Sequence, residues 1–185
     1  FPMAHPVIPS IRTLLYENGL LPLRSQAELS ENLLQERLDL LPSLLEETQL
    51  DCWLVVAHEN NEDPVMKSLM TWDRRTARGG VDRLSWGMPS QRMAQFYTPC
   101  KQGDESLCQG LVRLFEQYDP QRIGINVSPA CGGFCDGLSA GLYQTLQELP
   151  EPYRGRLCSA ERLSTRFLET MTARELHVMG VLVKA

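Results

Sequence analysis

A chain of 185 residues is the length of one ordinary domain, enough to hide roughly 70% of its unfolded surface and hold a core without staples. Hydrophobic residues are 43% and charged residues 22% of the chain, the proportions of a globular protein rather than a disordered one. The formal net charge of -5 argues against a nucleic-acid surface, which would carry a basic stripe, and no apolar run reaches the roughly 18 residues of a membrane span.

Pro2, Pro6 and Pro9 mark an extended arm, and Ser10 opens a short helix that Gly19 ends. Between Ala27 and Thr48, Leu29, Leu33, Leu34, Leu38, Leu41 and Leu45 form one helical apolar stripe, with Glu46 and Glu47 toward solvent. Pro42 predicts a kink or break near Leu41. Cys52 to Ala57 (CWLVVA) is a continuous apolar run, as in a strand buried on both faces. A polar loop, His58 to Asp63, follows, and Asp63-Pro64 reads as a helix cap and first turn, the helix running through Val65, Met66, Leu69 and Met70. Strands are expected at Val81–Trp86 and Met93–Tyr97, and a helix at Ser106–Tyr118 with Leu107, Leu111, Leu114 and Phe115 inward, ended by Asp119-Pro120. Arg122 to Val127 reads as a strand with Ile123, Ile125 and Val127 on one side, and Gly124 admits a close neighbour. After a Gly-rich turn region, Ser128 to Gly137, come a helix at Ser139–Leu149, a short strand at Arg156–Ser159 and a helix at Ala160–Thr170 carrying Leu163, Phe167 and Leu168. Thr172 and Glu175 make a capping pair for a last helix, Thr172–Ala185, with Leu176, Met179 and Val183 on one face. It has no stop signal, so we expect it to continue into a longer protein. Strands alternating with helices predict an α/β sheet with helices packed against it.

The candidate chemistry is sparse. Of the six cysteines, Cys52 reads as core, while Cys131 and Cys135 are too few for a structural zinc site, which needs four ligands. Free thiols are the expectation, with a Cys131–Cys135 or other disulfide as the alternative. Gly137-Leu138-Ser139-Ala140-Gly141 matches the G-x-S-x-G nucleophile elbow of serine hydrolases, but that motif works only where a strand runs straight into it. The preferred reading is that Asp136 or Ser139 caps the helix that follows. Asp51 and Asp63 lack the His and Glu partners of a two-metal site, and Arg74, Arg75 and Arg78 read as a solvated basic cluster. No glycine-rich phosphate loop occurs. The loop His58, Glu59, Asn60, Asn61, Glu62, Asp63 lies at the carboxyl end of a buried strand, where open α/β sheets bind ligands.

Three stretches, taken in order, resemble a known family: "ERLDLLPSLLEETQLDCWLVVAHENNEDP" (36–64), then "RIGINVSP" (122–129) with "DGLSAGLY" (136–143), then "SAERLSTRFLETMTAREL" (159–176). Together they look like the amino-terminal domain of the creatinase/prolidase/aminopeptidase P metallopeptidases. The resemblance implies a mixed β-sheet flanked by helices with a ribonuclease-H-like motif, spanning residues 26–171 after an amino-terminal arm and short helix (1–25). Residues 172–185 would start the helix to a pita-bread catalytic domain. It further implies no catalytic residue, no metal ligand and no cofactor in this chain. Two divalent metal ions (Mn, Zn or Co) and the X-Pro peptidase chemistry would belong to the catalytic domain. The implied partners are that domain and a second copy in a homodimer, with neither nucleic acid nor membrane. His58, Asn60, Asn61, Glu62 and Asp63 become the candidate loop for subunit contact or substrate access. Exported relatives lean the expected location toward periplasmic or secreted. One departure stands out: the family carries an apolar strand where this chain runs from Arg78 into Gly79-Gly80. Without the resemblance, a stand-alone binding or dimerisation module fits the residues too.

Overall fold

The computed structural model describes residues 21–57, 63–69, 83–87, 106–130 and 133–183. The expected amino-terminal helix, the strand at Met93–Tyr97, the arginine cluster and the Arg78–Gly80 departure lie outside them. The leucine-rich stretch forms two helices, α1 (Leu23–Leu38) and α2 (Leu41–Thr48). Pro42 sits in the first turn of α2, where its missing N–H costs nothing, so the chain breaks there rather than kinking. Strand β1 (Cys52–Ala57) is buried along its whole length, as its unbroken apolar run predicts. Helix α3 (Pro64–Ser68) starts at Asp63, whose carboxylate accepts from Val65 N. Strand β2 (Arg83–Gly87) follows, then α4 (Leu107–Tyr118), opened by a Ser106/Gln109 capping box and ended by Asp119 in the left-handed region at φ 43°.

Strand β3 is shorter than the expected Arg122–Val127, covering Ile123–Ile125. Its chain turns away once Asn126 leaves the ladder. Helix α5 (Ala140–Leu146), a 3₁₀ turn at Arg154–Arg156, strand β4 (Leu157–Ser159), α6 (Glu161–Glu169) and α7 (Ala173–Leu182) complete the order. Among the described residues the sheet order is β2-β1-β3-β4. β1, β3 and β4 are parallel, and β2 is antiparallel to β1 with Val55 opposite Ser85. This is the α/β sheet expected from the alternating pattern, with strands in mixed directions. Asp51 keeps the starts of β1 and β3 level: its Oδ2 accepts from Gln121 N at 3.0 Å and Arg122 N at 2.9 Å.

Both sheet faces are covered. Trp53, Val55 and Ala57 of β1 pack with α2 (Leu41, Leu44, Leu45), α3 (Val65, Met66) and α6 (Leu163, Phe167). Cys52, Leu54 and Val56 pack with Ile123 and Ile125 of β3, α4 (Leu111, Phe115) and α5 (Leu142, Leu146). Gly124 lies where a Cβ would come within 2.7 Å of Leu50 Cδ1 and 3.0 Å of Ala160 Cβ, so the close approach expected there is real. The stripe on α1 is shallower than its leucine spacing suggests: Leu34 is buried, Leu29, Leu33 and Leu38 are half-buried, and Leu23 is exposed. The face of α7 formed by Leu176 and Met179, with Val183 beyond the helix's last turn, is likewise exposed rather than packed.

Candidate functional site

The parallel strands deliver their carboxyl ends to one edge, and the polar side chains there are tied together. Trp53 pairs with Gly124 in register, and its indole reaches Asn126, the residue just past the end of β3. Trp53 Nε1 donates to Asn126 Oδ1 at 2.8 Å, and Ser164 Oγ of α6 donates to the same oxygen at 3.0 Å. Asn126 Nδ2 then donates to Asp63 Oδ2 at 2.8 Å, while Asp63 Oδ1 caps α3 through Val65 N at 2.7 Å. An indole N–H can only donate, so Asn126 must present its oxygen to Trp53 and its amide N–H to Asp63. The amide orientation follows from chemistry. Asp63, Asn126 and Ser164 are all buried, at 1%, 2% and 0% exposure. Gly137 completes the packing, because a Cβ on it would run into the Asp63 carboxylate.

Burial pushes the Asp63 carboxyl above its ordinary range, against the opposing pull of its hydrogen bonds from Asn126, Val65 and Met66. A carboxylate so engaged has its lone pairs committed to the protein.

Around this centre lies a second ring of contacts, in which Ser128 and Cys135 are buried and the others more exposed. Ser128 Oγ donates to Glu161 Oε2 at 2.6 Å, and Ser128 N donates to Asp136 Oδ1 at 3.1 Å. Ser159 Oγ donates to Val127 O at 2.6 Å and accepts from Glu161 N at 3.1 Å. Cys135 Sγ and Thr165 Oγ1 lie 3.2 Å apart. An open groove of about 490 Å³, lined by Ser159, Glu161, Arg162, Thr165 and Arg166, runs beside them. Its two arginines already face Glu47: Arg166 Nε is 2.9 Å from Glu47 Oε1, and Arg162 Nη2 is 4.0 Å away. The Arg166 hydrogen bond, opposed by slight desolvation, holds the Glu47 carboxyl below its usual range.

Of the expected loop residues, His58, Asn60, Asn61 and Glu62 lie outside the described residues. Asp63 is a buried anchor for the loop's downstream end, and its cap on α3 is the one expected. Ser139 Oγ accepts from Leu142 N at 3.3 Å, so the serine, not Asp136, caps α5. Strand β3 ends at Ile125, well before Ser139, and does not form the strand-to-serine junction that a nucleophile elbow requires. Cys52, Cys108 and Cys158 are free thiols, whereas Cys100 and Cys131 lie outside the described residues. Burial, with the nearby Asp51 charge second, pushes the Cys52 thiol up to about 12. Among the described residues no group of three or more His, Cys, Asp or Glu is placed to hold a metal ion.

The sequence reading missed Asn126, Ser164 and Gly137. The signals available were a tryptophan in an all-apolar strand, whose buried N–H needs an acceptor, and an asparagine closing another apolar strand.

Comparison with protein-family models, with curated proteins and with solved structures finds no match to this chain.

Proposed function

We propose that this chain is the non-catalytic amino-terminal domain of a metal-dependent X-Pro-type peptidase of the creatinase/prolidase/aminopeptidase P kind. One observation carries the reading. The segments that bear the resemblance are far apart in sequence, yet each supplies a residue that belongs to the same buried network or packs directly against it. Trp53 and Asp63 come from the first, Asn126 from "RIGINVSP", Gly137 from "DGLSAGLY" and Ser164 from "SAERLSTRF". Their polar atoms are spent on each other and on capping α3. The signature is therefore one of architecture, as befits a scaffold domain.

On this reading the mixed sheet is the ribonuclease-H-like sheet of that family. The exposed Leu176 and Met179 of α7 and the neighbouring Val183 form the apolar surface that a following domain would cover. The loop His58–Asp63, held at its downstream end by the buried Asp63, serves subunit contact or substrate access in a homodimer. Two divalent metal ions and the hydrolytic residues belong to the catalytic domain.

The test is to express the longer polypeptide encoded by the same reading frame and assay Xaa-Pro peptides. Release of the residue before proline, lost on chelation and restored by Mn(II), is the expected result. A longer product with no such activity and no set of two Asp, one His and two Glu ligands would reject the reading in favour of a binding or dimerisation module.

A further inference from the structure

Helix α7 is not held to the body by its apolar face: Leu176 is 58% and Met179 48% exposed, and Val183 just beyond it is 81% exposed. Among the described residues its ion-pair and hydrogen-bonded attachment sits in its first turn. Arg37, on α1, reaches two elements at once. Its Nη2 donates to Phe167 O at the end of α6 at 2.7 Å, and its guanidinium carbon lies 4.7 Å from the centre of the Phe167 ring. Its Nε lies 3.5 Å from Glu175 Oε1 on α7. Beside this pair, Arg174 Nη1 donates to Glu36 Oε1 at 3.3 Å.

The charges run acid–base along α1 (Glu36, Arg37) and base–acid along α7 (Arg174, Glu175). A slip of one residue would bring like charges together, so the pairing specifies register as well as attachment. Arg37 and Glu175 are largely dehydrated, with 17% and 15% of their side chains accessible. Arg37 Nε is buried without a hydrogen-bond partner among the described residues, which leaves the Glu175 carboxylate as its compensation. Phe167 in turn stands edge-on to Trp53, centroids 5.5 Å apart, so the attachment runs into the core beside the Asn126 network.

We propose that Arg37 and Glu175 form a clasp that makes α7 a rigid spoke of the domain rather than a hinged linker. The clasp fixes the direction in which α7, and whatever it carries, leaves the sheet. This goes beyond the proposed function and does not depend on it.

Glu175 has two jobs that chemistry can separate. Its Oε2 accepts from Thr172 N at 2.8 Å, and its own N–H donates to Thr172 Oγ1 at 3.1 Å. A glutamine at this position of a capping box still accepts from the cap residue, so Glu175→Gln keeps the box and removes only the charge facing Arg37. Thr172→Ala does the reverse. The experiment is hydrogen–deuterium exchange of the 185-residue protein, comparing peptides from α7 with peptides from β1 and β3. Glu175→Gln is expected to speed exchange along α7 roughly tenfold or more while β1 and β3 keep their protection. Thr172→Ala is expected to affect the first turn alone. Exchange in α7 of Glu175→Gln within about twofold of the unmodified protein would overturn the proposal. So would acceleration shared equally by β1 and β3, because the pair would then be a general stabiliser.

Discussion

Replacing Asn126 by alanine tests the buried network where its connections meet. The substitution removes the acceptor of Trp53 Nε1 and of Ser164 Oγ and the donor to Asp63 Oδ2. Ser164 can turn its hydroxyl to the carbonyl of Ala160 one helical turn back, so it escapes much of the loss. The indole N–H has no such recourse, while the Asp63 carboxyl is left with its backbone donors Val65 and Met66. A buried group left unsatisfied costs about 1–3 kcal/mol and a lost hydrogen bond about 1 kcal/mol, so Asn126→Ala is expected to lose about 2–4 kcal/mol. That is a large part of the roughly 5–15 kcal/mol that holds a domain together. Urea denaturation followed by far-ultraviolet circular dichroism measures it, with an unchanged slope indicating an unchanged fold. The double variant with Trp53→Phe should lose less than the sum of the singles, because one hydrogen bond can be removed only once. A loss under about 1 kcal/mol for Asn126→Ala, or strict additivity in the cycle, would refute the network as described.

Three further outcomes follow from the same geometry. Gly124→Val should cost about 1–3 kcal/mol by overpacking against Leu50 and Ala160, measured as a fall in the urea midpoint, and an unchanged midpoint would contradict the close packing. Because burial raises the Asp63 carboxyl in the fold, the native state binds that proton more tightly than the unfolded chain does. The Asp63 contribution to stability is therefore greatest below the ordinary carboxylate range, near pH 4, and declines as pH rises through the folded value. Stability of the unmodified protein relative to Asp63→Asn, measured from acid to neutral pH, should fall, and a rise would contradict the sign. With its thiol pushed up to about 12 and fully enclosed, Cys52 should react with a thiol reagent at neutral pH only as fast as the whole domain unfolds, which labelling followed by peptide mapping checks.

Much of the frame was readable from local chemistry. The unbroken CWLVVA run announced a strand with both faces covered, and Pro42 announced the α1–α2 break. Asp63-Pro64, Ser139 and the Thr172/Glu175 pair announced helix starts, because a cap is a short-range interaction that its own residues display. The burial of α1 and α7 was less legible. Leucine spacing says which residues share a face but not whether anything lies against that face, and α1 and α7 both leave apolar side chains in the open. The network was least legible. Asp63 and Asn126 are separated by the whole of β2 and α4, and each has a plausible local part to play, as a cap or a strand end. Only the parallel pairing of β1 with β3, and the packing of α6 across them, brings Trp53, Asp63, Asn126 and Ser164 together. The Arg37 clasp escaped for the same reason, since an arginine in a polar helix gives no sign of the carbonyl and carboxylate that await it elsewhere.

The proposed function requires that these residues build a scaffold and perform no chemistry of their own. The most direct measurement is to incubate the purified 185-residue chain with an Xaa-Pro peptide and Mn(II) and follow release of the residue before proline. No release above the metal-only control is predicted. Metal-dependent turnover that disappears in Asp63→Asn while the variant remains folded would contradict it.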